Sequence, residues 1–87
     1  MATIFLHAMV KELAGRSAIE FVLGEPAKLG DVLRANLTER ELFLIVDETG
    51  AVREHLNIFI DARKIKDLTY AIENATSVDI FPAVSGG

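Results

Sequence analysis

Leu29-Gly30-Asp31-Val32-Leu33-Arg34-Ala35-Asn36-Leu37 is the stretch on which the fold turns. Its large apolar residues, Leu29, Val32, Leu33 and Leu37, fall at i, i+3, i+4 and i+8, the spacing of one buried helical face. Asp31 lies in the first turn, where a carboxylate complements the positive end of the helix dipole, and Arg34 falls on the polar side. Gly24-Glu25-Pro26, just upstream, breaks the element before it. One main helix is therefore expected, with the rest of the chain arranged around it.

Upstream, Thr3 to Met9 begins with β-branched and aromatic residues and reads as an opening strand. Val10-Lys11-Glu12-Leu13-Ala14 reads as one helical turn stopped by Gly15, a residue that readily takes the left-handed conformation ending a helix. Ser17 to Leu23 alternates, with Ile19, Phe21 and Leu23 to one side, and the short connection predicts pairing with the first strand. Downstream, Thr38 stands before Glu41 at capping-box spacing, while Leu42 to Val46 is compatible with a short helix or a strand. Asp47-Glu48-Thr49-Gly50 reads as a turn. Leu56 to Ile60 reads as the central strand, followed by a turn at Asp61 to Lys64 and a brief extended segment around Ile65. Leu68 to Ala75 reads as irregular. Ser77-Val78-Asp79-Ile80-Phe81 alternates and forms a last strand, with Pro82 expected to end its hydrogen bonding.

This order uses every apolar face if a mixed sheet of four or five strands packs on the one main helix. The expected class is α+β, a β-grasp (ubiquitin-like) roll over residues 1–81 with a flexible tail at 82–87. Phe5, Phe21, Phe43 and Phe59 are expected in the core, and Phe81 alone among the phenylalanines is a candidate for binding.

Composition narrows the function. With 87 residues there is one domain and little room for a deep cofactor pocket, which disfavours a self-contained enzyme. Nine basic against thirteen acidic residues give a net charge of -4, and only Arg63, Lys64 and Lys66 lie close together. Phosphate-backbone binding needs clustered cations, so no nucleic acid partner is expected, whereas a mildly acidic surface suits a protein with a basic docking face. There is no cysteine, hence no thiolate metal site and no thiol nucleophile. His7 and His55 are far apart without ligands at metal spacing, and Asp47-Glu48 and Glu39-Arg40-Glu41 are expected in turn and helix-surface roles. No glycine loop cradles a phosphate. The start lacks the basic segment and long apolar run of a secretory signal, and no apolar stretch nears the roughly 20 residues that span a membrane. A soluble, cytoplasmic chain is expected.

The tail carries the chemistry. After Phe81 the chain reads Pro82-Ala83-Val84-Ser85-Gly86-Gly87, an arm expected to project from the sheet. An end without β-carbons threads a narrow channel and brings its carboxylate beside a nucleotide phosphate without clashing. A carboxylate is a poor electrophile, so another protein must first make the acyl-adenylate, from which sulfur or an amine displaces AMP.

The chain resembles the small ubiquitin-like sulfur carriers, the family of the molybdopterin synthase small subunit and the thiamine-biosynthesis carrier. Three stretches carry the resemblance: Val10-Lys11-Glu12-Leu13-Ala14-Gly15 after the opening strand, Leu56-Asn57-Ile58-Phe59-Ile60-Asp61, and the ending Asp79 to Gly87. It is nearer the molybdopterin branch, since the thiamine carrier is usually shorter and lacks the segment between Leu42 and Glu54. The resemblance implies that Gly87 is adenylated by a ubiquitin-activating-type enzyme and converted to a thiocarboxylate. Val84, Ser85 and Gly86 would thread partner active sites, with Phe81 and Lys11 contacting partners; His7 stands where an aromatic is often found. The chain would contribute no acid, base or nucleophile and bind no cofactor, ATP being used by the partner. The implied acceptor is an enzyme such as the molybdopterin synthase large subunit. Delivery to cysteine, thiamine or tRNA thiolation, conjugation to target lysines, and an interaction module with an inert tail are the other readings.

Overall fold

The structure, a computed structural model, describes residues 1–83. The expectations for Val84, Ser85, Gly86 and Gly87 lie outside the described residues. In chain order the elements are β1 (Ala2–Leu6), α1 (Ala8–Ala14), β2 (Ala18–Phe21), β3 (Ala27–Lys28), α2 (Leu29–Asn36), α3 (Glu39–Ile45), β4 (Leu56–Ile60), β5 (Arg63–Ile65), β6 (Ala71–Ile72) and β7 (Ser77–Pro82). Five strands form one mixed sheet in the order β2-β1-β7-β4-β5, and β3 pairs with β6 in a small second ladder. This is the β-grasp roll expected from the sequence.

The alternation of each strand decides its two faces. Ile4 and Leu6 of β1, Ile19 and Phe21 of β2, Leu56, Ile58 and Ile60 of β4, and Val78 and Ile80 of β7 are buried together under the helices. Leu29, Val32 and Leu33 of α2, with Leu37 just past its end, close over them, the four positions read from the helical period. Full burial of such a side chain contributes about 1.5–3 kcal/mol.

The sheet's middle strand is β7, parallel to β1 and antiparallel to β4, so β4 is internal but not central. β1 stops at Leu6 rather than Met9, because the chain turns at His7 into α1, whose Val10 is buried. Gly15 ends α1 at φ 81°, as its sequence position predicts, and donates its N–H to the Lys11 carbonyl. The ambiguous segment at Leu42 to Val46 is helical as far as Ile45. Thr38 Oγ1 accepts from the Glu41 N–H at 3.1 Å, and Glu41 Oε1 accepts from the Thr38 N–H at 2.9 Å, completing the capping box.

The stretch read as irregular, Leu68 to Ala75, holds β6. Its two-residue ladder with β3 is too short to leave a period in the sequence. Around it the Tyr70 and Leu68 carbonyls accept from the first N–H groups of α2, Leu29 and Gly30, both at 2.8 Å, in place of a side-chain cap. A Cβ on Gly30 would stand 3.3 Å from the Leu68 oxygen, so glycine permits this approach.

Pro82 does not end the ladder. It pairs with Leu56, and Ala83 donates its N–H to the His55 carbonyl at 2.6 Å. Alternation along β7 turns the missing proline N–H away from β4, toward β1. There the chain has already entered α1 and the His7 carbonyl accepts from Lys11 instead, so no donor is needed. Among the described residues, no helix is long and apolar enough to cross a membrane.

Candidate functional site

Among the described residues, one face of the five-stranded sheet carries no helix, and aromatic residues that the sequence places in the core collect there. Phe5 and Phe59 are half-buried on this face, and Phe81 is 36% exposed. Only Phe21 of the four expected core phenylalanines is buried; Phe43 projects from α3 with the Arg53 guanidinium 4.7 Å from its ring centre. Alternation explains the difference. Phe5 and Phe59 have the opposite parity from Ile4 and Ile58, and an apolar residue on the second face looks the same in sequence as one in the core.

Register sets the neighbours. Asp79 lies between Phe5 of β1 and Phe59 of β4, in the middle of the uncovered face. His7 Nε2 donates to Asp79 Oδ1 at 2.8 Å and the Ser77 hydroxyl donates to Oδ2 at 3.0 Å, so both carboxylate oxygens have a partner from this chain. The imidazole stacks on Phe81 with centroids 4.1 Å apart, and Phe59 meets Phe81 edge-on at 5.7 Å and 84°. The edge-on geometry is a favourable one for an aromatic pair. An open groove of about 790 Å³ runs beside them, lined by Asn57, Phe59, Ala62, Ser77, Asp79, Phe81 and Pro82.

Of the residues singled out from the sequence, Phe81 stands on this face and Lys11 is exposed on α1, one turn beyond His7. Sequence reasoning assigns no site role to His7 or Asp79. The signal is present, because the period of Ser77 to Phe81 puts Asp79 on the side of Phe81. The imidazole does what an aromatic would do at this position, and adds a hydrogen bond. Among the described residues, no three His, Cys, Asp or Glu side chains converge as a metal site.

Leaving beside this face, β7 runs past Phe81 and through Pro82 toward the Gly-Gly end of the sequence. This β-grasp roll, helix-covered on one side and aromatic on the other, is of the ubiquitin-like class. This chain belongs to the ThiS family, which matches residues 4–87. It is 31% identical over 84 residues to small archaeal modifier protein 3 of Haloferax volcanii, covering 92% of this chain and 91% of that one. The crystal structure of SAMP1 from the same organism superposes with a TM-score of 0.79 at 26% identity, covering 99% of this chain and 98% of the other. A Pyrococcus furiosus structure described as a putative molybdopterin converting factor, subunit 1, shares the fold. Its TM-score is 0.67 at 22% identity, with 95% and 97% of the two chains covered. The relatives are small carrier and modifier proteins rather than enzymes.

Proposed function

We propose that this chain carries sulfur on its C-terminal glycine and donates it in cofactor biosynthesis, as the small subunit of a molybdopterin synthase. The carboxylate of Gly87 attacks the α-phosphorus of ATP in a separate adenylating enzyme, releasing pyrophosphate and forming an acyl-adenylate. A sulfur nucleophile then displaces AMP, leaving a thiocarboxylate. ATP is held by that enzyme, and the chain acts in the cytoplasm. Phe81, together with Lys11, docks on the partner. The arm Val84-Ser85-Gly86 reaches into its active site, so that catalysis gains from the position of one carbonyl carbon.

The observation that carries this reading is the continuity of β7 with the tail. The same strand presents Phe81 on the uncovered face and continues through Pro82 into the sequence that ends Gly86-Gly87. Docking the face therefore fixes the root of the arm. A second reading, isopeptide conjugation of Gly87 to lysines, is favoured by the modifier name of the 31% identical relative. The two differ only in the nucleophile that meets the acyl-adenylate.

Intact mass spectrometry decides between them. The full chain is incubated with a candidate adenylating enzyme, ATP and a sulfide source, then with molybdopterin synthase large subunit and precursor. Exchange of one oxygen for sulfur, reversed by the large subunit, is the expected result. Sulfur loading without discharge to that subunit overturns the molybdopterin assignment. Adducts on lysine side chains without sulfur loading favour the modifier. An unchanged mass, with an enzyme active on its own substrate, rejects both.

A further inference from the structure

We propose that the groove beside Asp79 receives an arginine side chain of the protein that docks on this face. The proposal rests on the docking reading above and names the chemistry the face selects. A carboxylate in the middle of an aromatic patch is costly to cover with an apolar surface, because docking would strip its water. Its hydrogen bonds from His7 and Ser77 use one acceptor site on each oxygen, and an ionised carboxylate offers about four. Asp79 also lines the groove, so the unused acceptor capacity adjoins the space a partner would fill.

Within the described residues His7 and Ser77 are the side chains that hydrogen-bond Asp79. Among the described residues the ion pairs made by Arg or Lys are Arg16–Glu41 and Arg34–Asp31, so no Arg or Lys side chain caps Asp79. The groove walls then choose the kind of cation. Phe59 and Phe81 meet at a right angle beside the carboxylate. A planar guanidinium can lie against an aromatic ring while donating in its own plane to a carboxylate. An ammonium is a strongly hydrated point charge and gains less from such walls. Net charge agrees in sign, since a chain at -4 favours approach of a basic surface.

The test uses isotope-labelled full-length protein and N-acetyl-arginine methylamide as probe, followed by amide chemical shifts. The matching lysine and glutamine amides serve as controls. Saturable shifts at Asn57, Phe59, Ser77, Asp79 and Phe81 are expected with the arginine probe, weaker ones with lysine and none with glutamine. Asp79→Asn, which keeps a side-chain acceptor for His7, should abolish the response while the remaining spectrum reports an intact fold. Phe59→Leu should weaken it with Asp79 in place. Shifts scattered over other acidic residues, an equal response to lysine, no response, or a response that survives Asp79→Asn would each overturn the proposal.

Loading by the adenylating enzyme separates this from the docking reading. If Phe81→Ala impairs loading but the probe does not bind, the face docks a partner without an arginine in the groove. If the probe binds but loading ignores Phe81→Ala, the groove takes guanidinium groups and the docking reading fails. With both correct, Asp79→Asn raises the half-saturating carrier concentration about tenfold, the scale of removing one charge-assisted hydrogen bond from an interface.

Discussion

The His7 imidazole lies on the ring of Phe81, centroids 4.1 Å apart and planes within 5° of parallel. His7 holds this place through its backbone as well as its ring. Its N–H donates to the Ile80 carbonyl at 3.1 Å, and its carbonyl accepts from Lys11 at 3.4 Å. With Nε2 on Asp79, the residue joins the end of β1, the start of α1 and the middle of the uncovered face. The orientation of Phe81 is thus set from the neighbouring strand.

Replacing His7 separates the stack from the hydrogen bond. His7→Phe keeps a ring against Phe81 and leaves Asp79 to the Ser77 hydroxyl and to water, which reaches it because its side chain is 25% exposed. Its stability should stay within about 1 kcal/mol of wild type, the scale of one net hydrogen bond. His7→Ala removes both interactions and frees the Phe81 ring, and partner affinity should fall by about tenfold. Thermal melts and calorimetric titration with the adenylating enzyme read the two effects. Equal affinity for His7→Ala and wild type would show that the stack does not prepare Phe81 for docking.

Ile80 and Phe81 are adjacent in β7 and serve opposite faces, one fully buried and the other exposed. Ile80→Ala should cost about 2–5 kcal/mol of stability, since it leaves a cavity between the sheet and the helices. Phe81→Ala should cost about 1 kcal/mol, the value of its aromatic pairing, and lower partner affinity by a larger factor. Urea denaturation of the two variants makes the comparison. A Phe81→Ala variant as unstable as Ile80→Ala would make Phe81 a core residue.

What is legible in the sequence follows physical scale. Leu29, Val32, Leu33 and Leu37 repeat over two turns, and α2 stands where their period puts it. Thr38 and Glu41 mark their helix start because a capping box is local, three residues apart. β3 and β6 escape notice because a two-residue strand is specified by its distant partner, not by its own pattern. Phe5 and Phe59 pass for core residues because a second apolar face repeats with the same period of two as the first. The His7–Asp79 bond joins opposite ends of the chain, and no spacing rule reveals it without the β1–β7 register. The functional residues of the tail are read from chemistry and resemblance alone, since Val84 to Gly87 lie outside the described residues.

Deleting Gly87 should abolish sulfur loading and leave the fold unchanged, because the carbonyl that would be activated moves back by one residue and gains the wrong neighbours. Gly86→Val tests the threading claim with the reactive carboxylate intact. A β-branched side chain beside the carboxylate should lower the loading rate by at least about tenfold, if the channel admits only bare backbone. Melting temperature and intact mass are read on the same samples. Normal loading of Gly86→Val would refute a narrow channel, and normal loading after Gly87 deletion would refute the assignment of the reactive carbon.

Glu41 provides a pH-dependent test of what holds α3 to the rest of the fold. Its carboxylate is buried and accepts from Arg16 at 2.5 and 2.7 Å as well as from the Thr38 N–H. The Arg16 hydrogen bonds are the main reason its carboxyl is held below the ordinary glutamate value. Burial opposes them, while the Thr38 N–H and the Arg16 charge add to the lowering. A folded-state value below the unfolded one stabilises the protein at pH above the unfolded value, about 4.3. That contribution disappears as pH falls through the folded value, where Glu41 takes up a proton in both states. Glu41→Gln should therefore be less stable than wild type by about 1–3 kcal/mol at pH 7, the cost of weakening a charge-assisted network around a buried group. The gap should narrow as pH drops below about 4.3. Asp47 and Asp67 are also held low, chiefly by the Thr49 and Thr69 hydroxyls, and both are retained in the variant, so some acid sensitivity should remain in it. Paired thermal melts from neutral pH down to about pH 2.5 supply the comparison. A gap that stays constant over that range would mean that Glu41 acts through its shape and neutral hydrogen bonds, and not through its charge.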